Sequence, residues 1–513
     1  MMELSWIRFK STPTITTIET TTYPIWNVAF PAVTICNINK VDRSRTSSII
    51  EALIRRGMSR QDANDVLISM ASLVNFESTN ASYENEGMLG GLGYTPAKML
   101  LELNQPCESL IKYCYWLGTE VSCAKFFQTT KTHVGFCCSF NVDKSMYVDN
   151  KSPMRSFPPP NIRLSGAGKN VGLSVMVDIA PEKYMAPTKS YYGAEVFVHS
   201  PRDFPADSDF EDTLQPGWDV DFCVTPIPIE SSDSLKRVPL QQRQCFMPNE
   251  GTLQSHNRFS LNLCMSECRL RTIIKLCSCV PFFYADFNIS EVEGVSICTL
   301  KNVNCLRHFR KYFFSLKPPR ELAEEHLNLD LGMDCNCMPS CTFLNYKVQS
   351  ISSRRFSGPF TSSYFGGRNV STYATLHVHF KDLYCVKYRR EAFMTWDSLL
   401  ASFGGIFGLC MGGSVLSIVE LFYYCAVKPF ALYSARRRAG SGNQLRQTRA
   451  NSSRLFRPSR YPVGFFKRRN VILRERTSGR GKRNIAIVSP QMGFPYGTQN
   501  GQTTGDPNSV FLF

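Results

Sequence analysis

The pattern of apolar and polar positions divides the chain into a long mixed region, one apolar run and a polar tail. In residues 45–75, apolar positions recur every three or four residues, which predicts helix. Residues 192–198 and 374–385 alternate apolar and polar side chains, which predicts half-buried strands. Residues 30–396 therefore form a candidate α+β domain with ample length for a hydrophobic core.

The apolar run follows this region. From Ser398 to Val419 there are 22 residues without a charge, enough for a helix to cross a hydrocarbon core of roughly 30 Å. Residues 397–427 are therefore predicted to form a transmembrane helix. Its small residues are Gly404, Gly405, Gly408, Gly412, Gly413, Ser402, Ser414 and Ser417.

The spacing of these small residues is compatible with two interpretations. Glycines at every fourth position from Gly404 let another backbone approach closely, which is typical of a helix that only dimerises. A helix that lines a water path instead needs a polar face ending in a carboxylate at its inner mouth. At about 100° per residue on a continuous helix, that face would consist of Ser402, Gly413, Ser417 and Glu420.

Charge predicts the orientation of the run. The chain carries a net charge of +16, and residues 428–513 contain 17 Lys and Arg but only two acids, Glu475 and Asp506. Such an excess marks a cytosolic flank, and Arg436–Arg438 could contact anionic lipid headgroups. Nucleic-acid binding is the less favoured alternative, because the tail adjoins a candidate membrane span and lacks RNA-binding motifs. The polar composition predicts a mostly disordered tail.

Cysteine usage predicts an extracellular location for the mixed region. Of 20 cysteines, 18 lie between Cys36 and Cys385, which indicates disulfides in an oxidising compartment. Zinc binding by the Cys-x-Cys pairs is disfavoured, since nearby histidines are few and irregularly spaced. Cys410 and Cys425 lie in the apolar run and are expected to be free. Glycosylation sequons in the mixed region begin at Asn80, Asn150, Asn288 and Asn369. A fifth, at Asn451, is expected to stay unmodified in the tail.

The remaining patterns bear on chemistry and on the N-terminus. No GxSxG, Walker A or HExxH motif occurs, so the sequence favours no enzyme class. Residues 1–35 contain no signal peptide or long apolar run that could deliver the mixed region outside. We therefore expect that a preceding transmembrane helix is lacking from this chain, with residues 1–29 as a stub that includes its end near Leu4–Arg8.

Six segments between residue 30 and about residue 427 carry distinctive motifs. They are FPAVTICN at Phe30–Asn37, GFCCSFN at Gly135–Asn141, CMSEC at Cys264–Cys268 followed by CSCVP at Cys277–Pro281, CNCMPSC at Cys335–Cys341, LLASFGG at Leu399–Gly405, and the run Gly408–Glu420. Together these segments resemble the degenerin/epithelial sodium channel family, which includes the acid-sensing channels, and most of all its arthropod pickpocket branch.

The resemblance implies a trimeric, amiloride-sensitive, sodium-selective channel in the plasma membrane, with homologous subunits as partners and no cofactor besides permeant sodium. It implies a disulfide-rich α+β ectodomain of palm, finger, thumb, knuckle and β-ball, followed by a pore helix broken at the filter. The family's Gly-x-Ser selectivity filter falls on Gly412, Gly413 and Ser414. Its small-residue gating position falls on Ala401, and Ser402 replaces an aspartate of acid-sensing members. The stimulus stays open.

The resemblance also implies disulfide pairs. Cys107–Cys138 is a further candidate, while Cys223 and Cys385 are left to pair or to stay free. The implied pairs are Cys36–Cys137, Cys114–Cys123, Cys245–Cys341, Cys264–Cys337, Cys268–Cys335, Cys277–Cys305 and Cys279–Cys298. Because the family's first membrane helix and its His-Gly gating motif are absent, two functions are open. One is a channel subunit, and the other is a non-conducting single-pass protein that modulates partner subunits or binds ligands at the surface.

Overall fold

A computed structural model describes most of the chain up to Ser441. The described residues are 2–11, 13–76, 86–143, 162–205, 210–247, 250–251, 253–255, 259–317, 332–355, 373–412 and 414–441. The sequons at Asn80, Asn150, Asn369 and Asn451 lie outside them, as does Gly413. The chain divides into two compact units, Met1–Val427 and Lys428–Phe513.

Thirteen strands are present in the described residues. They are β1 (Thr14–Pro24), β2 (Ala32–Asn37), β3 (Ile111–Trp116), β4 (Thr119–Val121), β5 (Phe127–Thr132), β6 (Gly135–Phe140), β7 (Leu173–Val177), β8 (Ala194–His199), β9 (Phe210–Leu214), β10 (Trp218–Ser231), β11 (Phe343–Arg354), β12 (Ala374–Phe380) and β13 (Tyr384–Ala392).

The α-helices of the described residues are mostly short. They are α1 (Met2–Ser11), α2 (Ser47–Ile54), α3 (Arg60–Ser69), α4 (Glu86–Gly91), α5 (Pro96–Leu103), α6 (Cys107–Leu110), α7 (Cys123–Phe126), α8 (Leu240–Arg243), α9 (Leu261–Cys277), α10 (Val303–His308), α11 (Arg310–Phe314), α12 (Trp396–Met411), α13 (Val415–Phe422) and α14 (Lys428–Ser441). Helix α14 belongs to the second unit, so the tail that the composition predicts to be mostly disordered begins with a helix.

The strands form two sheets. The larger sheet has the order β1-β13-β10-β12-β7-β3-β4, with β11 paired to β10. The smaller sheet has the order β5-β6-β2-β8-β9, and all its pairs are antiparallel. Strand β10 is the hub of the larger sheet, because it runs antiparallel to β11 and parallel to both β12 and β13.

Two cores stabilise the first unit. One lies between the sheets, where the fully buried Phe30 contacts Phe140 and Phe380 at ring-centroid distances of 6.1 and 5.3 Å. The other core joins α2, α3 and α5 to α9–α11 through buried side chains such as Leu53 and Leu270. Removal of these apolar groups from water is the main favourable term in folding.

Two strand predictions located real strands but misjudged their surroundings. Strands β8 and β12 are buried at every position instead of being half-buried, because both faces of each strand are covered. The stretch 374–385 is also two strands rather than one, since Lys381–Leu383 breaks the ladder before β13 begins. Alternating side chains specify extended backbone, but they do not report what covers each face.

Eight disulfides connect these elements. The seven pairs implied by the resemblance are among them, together with Cys107–Cys138. Three of the bridges begin on α9, at Cys264, Cys268 and Cys277. The Cys-x-Cys sulfurs considered for zinc are therefore all bonded to other cysteines. Cys223, Cys385, Cys410 and Cys425 are free thiols.

The apolar run 397–427 is not one continuous helix. It consists of α12, α13 and a π-helical turn at Tyr423–Val427. Among the residues described, no helix combines the length and the apolar character that crossing a membrane requires.

Candidate functional site

Strands β1 and β13 are the first and last strands of the larger sheet along the chain, and they pair with each other. Helix α1 precedes β1, and α12 follows β13. Strand β1 runs antiparallel to β13, and the backbone N–H of Phe393 donates to the Pro13 carbonyl at 2.9 Å. Between these strands, Arg389 and Lys387 donate to the Glu19 carboxylate at 2.9 and 3.4 Å. Burial opposes ionisation of Glu19, but these donors lower its pKa below the ordinary value. The charged contacts tie together the two strands, of which β13 precedes α12 in the chain.

An aromatic cluster holds α1 beside α12. Trp396, at the start of α12, lies 5.1 Å from Phe9 and 6.3 Å from Trp6, measured between ring centroids. Trp6 and Phe9 stack on each other at 5.9 Å. Such pairs contribute about 0.5–1.5 kcal/mol each beyond area burial. The cluster was not predicted from the sequence, where its only local signal is the i, i+3 spacing of Trp6 and Phe9.

Helix α12 begins with a side-chain cap. The Thr395 hydroxyl accepts a hydrogen bond from the Ser398 N–H at 3.3 Å, and Asp397 places a negative charge in the first turn. Both features stabilise a helix N-terminus. The gating candidate Ala401 is exposed and Ser402 is half-buried on this helix.

The helix ends at Gly412. This residue adopts the left-handed conformation, with φ +64° and ψ 8°, and its N–H donates to the Gly408 carbonyl at 3.0 Å. Glycine reaches this conformation without a Cβ clash, which is why it commonly follows helices. The last carbonyl groups of α12 therefore lack their usual partners in the next helical turn.

A second helix starts immediately after the break. The Ser414 hydroxyl accepts from the Ser417 N–H at 3.3 Å, while the Ser417 hydroxyl accepts from the Ser414 N–H at 3.3 Å. This reciprocal pair is a capping box, with serine in place of the usual Glu or Gln. The Ser-x-x-Ser spacing carries this signal in the sequence, but the capping role was not predicted from it.

The break overturns one expectation about the polar face. Because Gly412 leaves the helical conformation, a count of 100° per residue does not carry from Ser402 on α12 to Ser417 and Glu420 on α13. The structure brings Gly412, Ser414 and Ser417 together at the break. Ala401 and Ser402 lie on α12 before it, and Glu420 is exposed on α13 after it.

The two helices present apolar side chains and open glycine positions to their surroundings. Leu409 is 83% exposed and Leu416 is 70% exposed. A Cβ added at Gly404, Gly405 or Gly412 would meet no atom of the described residues within 4 Å. Packing within the described part of this chain therefore does not require glycine at these positions.

A Ser-His-Asp arrangement elsewhere resembles a nucleophile site in its distances. His377 lies 2.7 Å from the Ser174 hydroxyl and 3.0 Å from the Asp219 carboxylate. Burial alone would raise the pKa of Asp219, but hydrogen bonds from His377 and Thr375 hold it well below its usual range. Ser174 is only 1% exposed, so the arrangement links β7, β12 and β10 without offering the hydroxyl to a substrate.

Comparisons with known proteins show which family the chain resembles. The sequence profile described as "Amiloride-sensitive sodium channel" matches residues 1–424. Sodium channel protein Nach of Drosophila melanogaster is 24% identical over 443 residues, which cover 83% of this chain and 79% of that protein. Pickpocket protein 28 of the same species is 24% identical over 508 residues, covering 91% and 76%. The bile acid-sensitive ion channel of Homo sapiens is 22% identical over 439 residues, covering 82% and 76%.

The match agrees with the resemblance drawn from the cysteine and glycine motifs, including its pickpocket character. The profile and two of these relatives are named as channels, and the chain is accordingly not an enzyme. Since the profile spans most of the sequence, the chain belongs to the amiloride-sensitive sodium channel family.

Proposed function

We propose that the chain is a subunit of a trimeric, sodium-selective and amiloride-sensitive channel of the plasma membrane, gated through its ectodomain. The observation that carries the proposal is the break between α12 and α13. It places a left-handed glycine and a helix-capping serine between two helices that carry several exposed apolar side chains. A soluble domain would normally bury such side chains.

In this proposal α12 and α13 together cross the membrane. The charge-free run from Ser398 to Val419 supports the assignment, because 22 residues match the thickness of a hydrocarbon core. The excess of basic residues after Val427 supports a cytoplasmic C-terminus, with the disulfide-rich unit outside. The exposed side chain of Asn288 suits glycosylation on the outer side.

The break supplies the selectivity filter. Carbonyl groups at the end of α12 and the Ser414 hydroxyl would replace part of the water around a sodium ion. Gly413, the middle residue of the filter, completes the Gly-x-Ser sequence. Glu420, in the exposed part of α13, raises the local cation concentration at the inner mouth.

In the proposed trimer, contacts among three copies around one axis explain why these helices carry glycine. Since nothing in the described part of this chain occupies the space at Gly404 and Gly405, their small size serves contacts with neighbouring subunits. Related subunits carry the same small residues in this proposal, so homomeric and mixed trimers both fit. Lipid covers the remaining apolar surface, with Arg436–Arg438 near the headgroups.

Four of the five ectodomain parts that the resemblance implies, all but the knuckle, are assigned to elements in this proposal. The larger sheet is the palm, the smaller sheet is the β-ball, α2–α5 form the finger and α9–α11 form the thumb. Disulfides stiffen the thumb, so that a displacement there moves the palm as a body. Strands β1 and β13 then carry the displacement to α12, where Trp396 packs against α1.

The test is to record current from cells that express the full-length protein, alone and with related subunits. We expect an inward sodium current that amiloride blocks and that falls when potassium replaces external sodium. Surface biotinylation confirms delivery, and enzymatic removal of glycans reports which sequons reached the outside. Protein at the cell surface that carries no amiloride-sensitive sodium current in any combination would contradict the proposal.

A further inference from the structure

A cavity of about 280 Å³ lies between the smaller sheet and helices α9 and α11. Its wall combines charged groups from the sheet side, the helix residues Arg269 and Arg310, and buried apolar side chains. The charged groups include Lys40, just after β2, and Glu195, on β8. The apolar side chains include Ile273, Phe283 and Phe313.

Lys40 is a cation without a counter-charge in contact. It is 3% exposed, and its ammonium group donates to the Asn37 carbonyl at 2.7 Å. Among the described residues it forms no ion pair, although an ammonium group has three hydrogens to donate. Burial lowers its pKa to about 8, and the more distant Glu195 carboxylate offsets only part of this effect. An anion bound in the cavity would offset the cost of burying this charge.

Glu195 is a buried carboxylate, and one of its oxygen atoms lacks a hydrogen-bond donor among the described residues. It is 2% exposed, and its Oε1 atom pairs with the Lys189 ammonium at 2.7 Å. Its Oε2 atom is buried and has no hydrogen-bond partner within the described part of the chain. A buried carboxylate oxygen without a donor costs free energy, so a donor placed in the cavity is favoured.

Lys189 supplies neither the missing counter-charge of Lys40 nor the missing donor to Glu195 Oε2. Its ammonium group also contacts Glu211, at 3.1 Å. Burial opposes its charge, but hydrogen bonds that it donates to the two carboxylates raise the pKa of Lys189 above its usual value. Lys189 is thus shared between Glu195 and Glu211, and Lys40 keeps no contacting counter-ion among the described residues.

We infer that the cavity binds a small zwitterion of amino-acid size, with its carboxylate on Lys40 and its amine on Glu195. Lys40 and Glu195 both line the cavity without pairing with each other, so one ligand bearing both charges would bridge them. The apolar members of the wall, Ile273, Phe283 and Phe313, favour an apolar side chain on the ligand. The volume is near the lower end of ligand pockets, roughly 300–1,000 Å³.

The first test compares three ligands on the purified full-length protein by isothermal titration calorimetry. L-Leucine carries both charges, 4-methylpentanoate lacks the amine, and 3-methylbutylamine lacks the carboxylate. We expect L-leucine to bind at least about tenfold tighter than either analogue, because each analogue leaves one buried group unpaired. If L-leucine does not bind, or if either analogue binds as tightly, the inference of a zwitterion site is wrong.

The second test locates the binding. Lys40→Met should weaken L-leucine binding at least about tenfold and abolish its advantage over 3-methylbutylamine. Glu195→Gln should abolish its advantage over 4-methylpentanoate. Matched controls are Lys112→Met and Glu230→Gln, which alter ion pairs with Asp178 and Lys387 in the larger sheet. Unchanged affinity in a folded Lys40→Met protein would overturn the assignment.

These measurements do not depend on conduction. Binding of L-leucine to a protein that passes no sodium would sustain this inference and remove the proposed channel function. A sodium current without L-leucine binding would support the proposed channel function and overturn this inference. The two hypotheses therefore fail separately.

Discussion

Helix α9 and helices α12–α13 are opposite cases of how a helix is stabilised. Three disulfides anchor α9, and side chains such as Leu270 are fully buried in the adjoining core. Helices α12 and α13 carry apolar side chains that are mostly exposed, and the thiol of Cys410 is free. At the start of α12, Leu399 and Trp396 pack on the rest of the described unit.

The difference indicates where each region finds its partners. The region around α9 completes its contacts within one chain and is closed by covalent bonds. In the region of α12 and α13, Gly412 and the Ser414–Ser417 pair fix the local backbone conformation. No other layer of the described residues covers the exposed apolar side chains of these helices. In the proposed channel, lipid and neighbouring subunits provide that layer. Changes in the first region should therefore alter stability, and changes in the second should alter current.

The largest expected effect is at Gly412. A β-branched side chain in the left-handed conformation clashes with its own backbone, at a cost of at least roughly 1–2 kcal/mol. Gly412→Val should therefore distort the break and reduce the sodium current at least about tenfold at equal surface expression. Whole-cell recording normalised to surface protein measures this.

The matched control at this position is Gly412→Asn. Asparagine enters the left-handed region more readily than other residues with a Cβ. It should therefore retain more current than Gly412→Val does. Equal loss in both variants would show that any side chain here blocks the pore, and that backbone conformation is not the deciding feature.

The next largest effect is on stability at α9. The double variant Cys264→Ser/Cys337→Ser removes a bridge across 73 residues. Closing a loop of this kind contributes about 2–4 kcal/mol, so the melting temperature of the full-length protein should fall by several degrees. Thermal unfolding in detergent measures the shift.

Cys410→Ser is the control from the other region. Its thiol is free and exposed on α12, so the substitution should leave the melting temperature of the disulfide-rich unit within error. A comparable fall in both proteins would remove the contrast between α9 and α12.

The features that can be predicted from the sequence are those with local or covalent determinants. The structure contains the seven disulfide pairs that the family resemblance implies, because a shared cysteine framework leaves few alternative pairings. The glycine-rich run in the sequence identified the segment around Gly412 as a candidate functional site. The capping role of Ser417 could also have been predicted, since it depends only on residues three apart.

The remainder depends on contacts between distant residues. Trp6 and Trp396 meet because β1 pairs with β13, and no local pattern reports that pairing. Strands β8 and β12 were predicted to be half-buried because the outer layer that covers them comes from other parts of the chain. The Lys40–Glu195 cavity could not be predicted for the same reason, because one lysine and one glutamate far apart in the chain do not indicate that they line a common cavity.

A smaller effect concerns pH and the disulfide-rich unit. His199 is buried, contacts the Thr34 hydroxyl at 2.9 Å, and has a pKa lowered to about 4 by burial. The unfolded chain takes up a proton near pH 6.5, whereas the folded protein resists it down to about pH 4. Stability should therefore fall as pH drops through this interval, by about 2 kcal/mol from this group between pH 7 and pH 5.

The measurement compares the melting temperature at pH 7 and pH 5 in His199→Gln and in the unmodified protein. The variant should lose less stability on acidification, since glutamine does not titrate. His308→Gln replaces an exposed histidine and should keep the unmodified profile. Parallel profiles in all three proteins would mean that the cost of charging His199 is relieved by local opening.

The smallest expected effect tests the region of α12 again. Ala401 is exposed in the single chain, so a phenylalanine there has room within the subunit and would meet only its neighbours in the assembly. Ala401→Phe should hold the pore open and raise the resting sodium current several-fold, while the melting temperature of the disulfide-rich unit stays constant. Leu400→Phe changes the adjacent exposed position, about 100° around the helix, and should leave the resting current near its original level. If both variants raise the current equally, bulk anywhere on this turn disturbs the membrane helices. If neither does at normal surface expression, Ala401 does not face the closed pore.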